Sequence, residues 1–293
     1  MSIKQRHLVI GASGQIGGAI YGCALETNLE TVGTWSTQPS KGLRKVDITD
    51  RGRLFKLVKE VSPHIIYATA AMPNVDRCES EPKESFRINV VGTANLVEAA
   101  NRIGAIIVFI STDYLFDGIK GPYDEKDLPN PVNVYGYHKL LAEHHIATCS
   151  IDYLIVRTTV VYGWERVGKN FIMRLIHRLS QGQRLQVPCD QIGTPTYNRN
   201  LAKAILELVH RGERGVYNIV GSSSVDRYNF ALTAARIFGL DGRLITPVTT
   251  EELDQKARRP LKAGLKIDKA RHVLSTPLLS FEDGLQQMLN DEL

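Results

Sequence analysis

Hydrophobic and polar positions along the first half of the chain switch between two periods. Short runs of apolar and β-branched residues near 7–10, 30–35, 64–68, 105–111 and 152–157 read as strands. The stretches near 15–27, 50–60, 84–103 and 134–148 place apolar residues three and four apart and read as helices. This alternation predicts an α/β fold, a doubly wound parallel sheet with helices on both faces, whose ligands bind at the carboxyl ends of the strands. The loops that follow those strands, 11–17, 34–37, 68–73, 111–116 and 160–164, should therefore converge on one crevice. Beyond about residue 160 the rhythm is lost. Helix-like runs at 170–180, 226–238 and 280–290 are separated by polar, proline-containing stretches, as expected of a smaller mixed α/β domain that holds substrate.

The first of those loops carries the clearest chemistry. The apolar run 7–10 leads into Gly11-Ala12-Ser13-Gly14-Gln15-Ile16-Gly17, a strand, glycine loop and helix start. Glycines at these positions permit a tight turn and a close backbone approach, and the free N–H groups and dipole at the helix start favour an anion such as a pyrophosphate. At the end of the second strand, Trp35, Ser36 and Thr37 stand where an NAD-preferring fold places an acidic residue. With hydroxyls there and Lys41 and Arg44 just downstream, a 2′-phosphate is accommodated, so NADPH is expected, with NADH open. The fourth strand empties into Ser111-Thr112-Asp113-Tyr114, where the Thr112 hydroxyl can donate to a bound carbonyl oxygen. Tyr135 and Lys139 follow, four apart on a predicted helix, so that an ammonium near the phenol would lower its pKa toward the working range. Composition alone often supplies such a pair; its setting is what marks it.

Composition narrows the class. At 43% hydrophobic and 23% charged residues the chain is that of an ordinary soluble enzyme. Cys23, Cys78, Cys149 and Cys189 are widely spaced with no C-x-x-C, which indicates neither a disulfide framework nor a zinc site, and His144-His145 is not an H-E-x-x-H helix. No metal is expected. The longest apolar runs, such as 105–110, are too short to span a bilayer and no charged-then-apolar leader opens the chain, so it is expected in the cytoplasm, off the membrane. The net charge of +5 is scattered rather than gathered in a stripe, which disfavours nucleic acid.

Taken in order, the motifs resemble those of the extended short-chain dehydrogenases, and within them the dTDP-4-dehydrorhamnose reductase group. Gly11–Gly17 is similar to its G-x-x-G-Q-[LI]-G loop, Ser111–Gly118 to S-T-D-Y-V-F-x-G, Tyr135–Glu143 to Y-G-x-[ST]-K-x-x-x-E and Arg157–Gly163 to R-T-x-x-V-Y-G. Lys169-Asn170-Phe171, Asp190–Thr196 and Arg259-Pro260 with Leu265 continue the match, so it runs from residue 11 to residue 265. The resemblance implies catalytic roles for Thr112, Tyr135 and Lys139, with Tyr135 and Lys139 also touching the cofactor and Lys139 holding the nicotinamide ribose. It implies a cofactor site built from Gly11, Ser13, Gly14, Gln15, Ile16 and Gly17, bordered by Asp47 and Ile48 at the adenine and by Ala70 and Ala71. It implies a nucleotide-diphosphate 4-keto sugar as substrate, with Tyr114, Asn170 and Pro195 as candidate contacts, and Arg174, Arg258 and Arg259 are candidates for the substrate pyrophosphate because a bidentate guanidinium suits phosphate oxygens. With the patterning, it divides the chain into a dinucleotide-binding part, 1–160 plus about 198–222, and a substrate part, 161–197 plus 223–293. A homodimer is an open expectation.

Departures fall mainly on the sugar side. His138 replaces the usual Ser or Thr before the lysine, Val160 a frequent Trp, and Lys262-Ala263 an Asn-Ser pair. Two other readings remain. A different reaction on a nucleotide sugar, epimerisation or dehydration, lacks the acid after Thr112-Asp113 that dehydration uses and the second-strand acid of a retained-NAD epimerase. A non-catalytic regulatory subunit, similar to the β subunit of methionine adenosyltransferase, would not need Thr112, Tyr135 and Lys139.

Overall fold

The computed structural model of the protein describes residues 5–166 and 168–291. Its first half runs β1 Arg6–Ile10, α1 Gln15–Glu26, β2 Glu30–Trp35, β3 Arg44–Lys45, α2 Arg51–Val61, β4 Ile65–Ala68, α3 Val75–Ser80, α4 Pro82–Phe86, a π turn over Arg87–Val91, α5 Gly92–Ile103, β5 Ile106–Thr112, α6 Val134–Cys149 and β6 Tyr153–Thr158. The second half runs β7 Val161–Tyr162, α7 Phe171–Ser180, β8 Leu185–Pro188, β9 Ile192–Gly193, β10 Thr196–Tyr197, α8 Asn198–His210, β11 Gly215–Asn218, β12 Val225–Asp226, α9 Arg227–Ile237, β13 Ile245–Val248, α10 Asp268–Val273 and α11 Phe281–Asn290.

Seven strands form one sheet in the order β11-β6-β5-β4-β1-β2-β3, every neighbouring pair parallel. Strands covered on both faces must be apolar throughout, and β4 and β5 are buried along nearly their whole length. On one face Leu8, Ile10, Ile66 and Ile107 pack with Leu54, Leu96 and Ile146 of α2, α5 and α6. On the other, Val9, Tyr67 and Val108 pack with Ile20 of α1 and Leu201 and Ile205 of α8. The chain reverses its direction of winding between β1 and β4, and there the loops at their carboxyl ends open a crevice.

A third apolar cluster, including Tyr162, Leu175, Phe230 and Leu285, joins α7, α9 and α11 on the far side of that crevice. Ala270 of α10 packs instead with the sheet cluster that holds α8. No described helix is long and apolar enough to cross a membrane.

The helix predicted over 84–103 is interrupted by its π turn. The extra residue in that turn buries Asn89 and aims it at the loop after β4, where it accepts from the Met72 N–H at 2.9 Å and donates to the Met72 carbonyl at 3.2 Å. The irregularity braces a crevice loop.

Candidate active site

The glycine loop forms a cradle at the start of α1. Gly11 takes a positive φ of 92°, which a side chain would resist, and a Cβ on Gly17 would lie 2.2 Å from the Gly11 carbonyl oxygen. Gly14 caps α1 without a side-chain acceptor, so the first N–H groups of the helix, those of Gln15, Ile16 and Gly17, are left for an anion. The buried Thr34 hydroxyl accepts from the Gly11 N–H at 3.0 Å, tying the loop to β2. Gln15 reaches across the crevice to the Val161 carbonyl, 3.0 Å away. Ser13 is half-buried beside the exposed Gly14. Ala70 closes against Gly11, to whose added Cβ its N would be 2.9 Å, while Ala71 is exposed.

Beyond the end of β2, exposed Arg44 is ion-paired with exposed Glu60 on α2. Lys45, adjacent in β3, lies over the Trp35 ring at 5.2 Å. Ser36, Thr37 and Lys41 are exposed. Ile48 is buried against α5, and exposed Asp47 accepts from the Thr49 N–H at 2.9 Å, which fixes the turn that follows β3.

The central group stands between β5 and α6. Asn133 caps α6 by accepting from the Gly136 N–H at 2.9 Å, and Gly136 lets the helix approach Tyr114 so closely that a Cβ there would lie 2.1 Å from the Tyr114 carbonyl oxygen. This brings Tyr135 against β5. Its ring meets Tyr114 edge-on at 5.9 Å. Burial raises the Tyr135 pKa, and the nearby Thr112 hydroxyl opposes the rise without cancelling it.

Lys139 turns to the strand rather than to the phenol. Its ammonium donates to the Ile110 carbonyl at 2.6 Å and lies 3.7 Å from the centre of the Phe109 ring. Burial brings its pKa from 10.5 down to about 7, against the raising charge of Glu143 one turn on. The lowered phenol pKa expected from i,i+4 spacing is therefore overturned. Desolvation of both groups outweighs their proximity.

Asp113 is buried beside Thr112, whose hydroxyl donates to it at 3.2 Å, and its pKa is pushed up to about 6 by burial, with the Thr159 and Thr112 hydroxyls opposing. The Ser111 hydroxyl, on the same strand end, is buried with no hydrogen-bond partner among the described residues.

Across the crevice, Asp113, Tyr114, Val160, Pro195 and Arg227 line one cleft. Tyr114 and Pro195 thus share this cleft. Val160 holds φ at +41°, a left-handed conformation that is costly for a β-branched residue. Arg174 is exposed on α7, and its charge is felt at Arg227, as is that of Arg259. Arg259 is ion-paired to Asp76 at 2.7 Å and also donates to the Ala257 carbonyl. Asn170 is occupied structurally: its oxygen caps α7 through the Met173 N–H at 3.2 Å, and its amide donates to the Gly163 carbonyl at 2.9 Å.

Residues 5–293 match the family described as the RmlD substrate binding domain, nearly the full chain. The chain belongs to the RmlD substrate-binding-domain family. Its relatives include the dTDP-4-dehydrorhamnose reductase of Sinorhizobium fredii, 31% identical over 85% of this chain and 87% of that one. They also include methionine adenosyltransferase 2 subunit beta of Mus musculus, 27% identical over 98% of this chain and 87% of that one. Among solved structures, the dTDP-4-dehydrorhamnose reductase of Bacillus anthracis in complex with NADP superposes with a TM-score of 0.90, at 31% identity, over 99% of this chain and 100% of that one.

Three features of this RmlD-family site escaped the sequence. Arg227 lines the cleft but opens a helix whose sequence gives no motif. His138, expected to alter the sugar side, points the other way: its ring bonds the Ser85 hydroxyl at 2.8 Å, which in turn accepts from Asn89 at 3.3 Å. The motif glutamate Glu143 has a role only the fold reveals, a buried ion pair with Arg157 at 2.8 Å.

Proposed function

We propose that the protein is an NADPH-dependent reductase of a nucleotide-diphosphate 4-keto-6-deoxy sugar, using NADH less readily. The observation that carries this reading is the convergence of Thr112, Tyr135 and Lys139 between β5 and α6, across one crevice from the Gly11–Gly17 cradle. The family membership and the reductases among its relatives support it.

The unsatisfied N–H groups of Gln15, Ile16 and Gly17 suit the pyrophosphate of a dinucleotide. Asp47, Ile48, Ala70 and Ala71 would border it, and Ser36, Thr37, Lys41 and Lys45 offer the hydroxyls and charge that a 2′-phosphate needs. When bound, the dinucleotide supplies the hydride. The chain's own part is the oxygen. Tyr135, kept protonated by its raised pKa, is in the form required to donate its proton to the substrate's carbonyl oxygen, and the Thr112 hydroxyl orients that oxygen. Lys139, anchored on the Ile110 carbonyl one helical turn from Tyr135, would hold the nicotinamide ribose beside it. Tyr114, Pro195 and Arg259 would hold the sugar nucleotide from the opposite wall, with Arg174 at the rim. Asn170 would shape that wall through the start of α7.

The mouse relative favours one competing reading, a regulatory subunit that binds the dinucleotide and turns nothing over. Purified protein with NADPH or NADH and a panel of dTDP-, UDP- and GDP-linked 4-keto sugars separates the two, because only the reductase oxidises the cofactor. As an enzyme of nucleotide-sugar metabolism it would act in the cytoplasm. A homodimer is the assembly to look for by sedimentation.

A further inference from the structure

Arg227 is the one arginine lining the cleft, and it has no carboxylate partner among the described residues. Four other partly or fully buried arginines are paired: Arg157 with Glu143, Arg199 with Glu26, Arg214 with Asp152 and Arg259 with Asp76, while half-buried Arg6 on β1, like Arg227, has no carboxylate partner among the described residues. The Arg227 side chain donates no hydrogen bond to any described residue. Its guanidinium lies 5.0 Å from the centre of the Phe171 ring, which fixes its plane without neutralising its charge.

Its backbone is clipped to the opposite wall of the cleft. The Arg227 N–H donates to the Gln191 carbonyl at 3.0 Å, continuing the pairing of β12 with β9. Burial lowers the guanidinium's pKa, and the nearby charges of Arg174 and Arg259 press in the same direction. Asp113 is the nearest acid able to compensate. With its own pKa pushed up to about 6, it does so only in part. A desolvated guanidinium among two other arginines is costly unless something anionic enters.

We infer that Arg227 binds the sugar-bearing phosphate of the nucleotide-diphosphate substrate, as the residue that recognises a diphosphate rather than a monophosphate. The position selects this phosphate over the distal one. Arg227 faces Asp113 and Tyr114, the residues directly after Thr112, and the sugar-bearing phosphate is the anion nearest to a carbonyl held at Thr112. A planar guanidinium fork can take two of its oxygens at once. This assignment rests on the nucleotide-sugar reading given above.

The test is calorimetric titration of wild type, Arg227→Gln and Arg227→Lys with dTDP, UDP, GDP, dTMP, UMP, GMP and NADPH. Wild type is expected to bind at least one of the diphosphates. Arg227→Gln should weaken that binding by on the order of 10²-fold and leave the corresponding monophosphate and NADPH nearly unchanged. Arg227→Lys, which keeps the charge and loses the fork, should fall between, and it carries the test if the glutamine variant does not fold. Diphosphate binding at wild-type strength in both variants would overturn the role of Arg227 alone. A wild type that binds NADPH and none of the three diphosphates would instead overturn the nucleotide-sugar reading, and the assignment with it.

Discussion

The ammonium of Lys139 lies 2.6 Å from the carbonyl oxygen of Ile110, so the lysine of the Tyr135 and Lys139 pair is anchored to the sheet and not to its helical neighbour. The contact explains how a lysine that is 3% exposed is tolerated: one strong acceptor and the face of Phe109 replace part of its hydration.

A pH dependence of stability follows from that burial. The folded-state pKa of Lys139 is lowered from 10.5 to about 7, so between those values the unfolded chain binds more protons than the native one. Below the window both states carry the charge and the burial cost is fully present; above it neither does. Stability contributed by this group therefore rises with pH through the window. Lys139→Met should remove that rise, and urea midpoints of wild type and variant, compared across the window, should diverge in favour of the wild type as pH increases. Parallel curves would contradict the burial.

Glu143 and Arg157 form a buried pair, with side-chain exposures of 6% and 7%, that joins α6 to β6. Removing either partner strands a buried charge and should cost about 3 to 5 kcal/mol, whereas replacing both by apolar residues should recover most of the loss. Chemical denaturation of Glu143→Leu, Arg157→Met and the double variant measures this. Single variants within about 1 kcal/mol of wild type would show the pair to be energetically idle.

Gly17 is the tightest point of the cradle. An alanine there would push its Cβ to 2.2 Å from the Gly11 carbonyl oxygen, and backbone must move to relieve the clash. Gly17→Ala is expected to lose about 1 to 3 kcal/mol of stability and to weaken NADPH binding by on the order of tenfold or more. Thermal unfolding and fluorescence titration report the two effects separately. Unchanged NADPH affinity would remove the glycine loop from the cofactor site.

What was legible in the sequence follows from how local its cause is. The long elements announce themselves because an apolar run such as Ile106–Ile110 or the stripe of α5 is a property of one segment. Two-residue strands such as β3, β7 and β12 have no period to detect; they exist because a neighbour pairs with them. The same distinction divides the site. Gly11–Gly17, Thr112, Tyr135 and Lys139 sit in recognisable local settings. The fate of Arg44, drawn to Glu60, and the capping duty of Asn170 depend on tertiary partners and were left unread. Arg227 is the sharpest case, since only the fold carries the start of α9 to a cleft beside Asp113. The direction of the Tyr135 pKa was misjudged because spacing along a helix gives proximity but says nothing of desolvation.

The central claim is that Tyr135 is the proton donor in a reduction, and turnover by Tyr135→Phe tests it most directly. With NADPH and whichever dTDP-, UDP- or GDP-linked 4-keto sugar the wild type reduces, the variant should bind NADPH as the wild type does and lose on the order of 10²-fold or more in turnover. Near-normal turnover by Tyr135→Phe, or a wild type that oxidises no NADPH with any sugar in the panel, would contradict it.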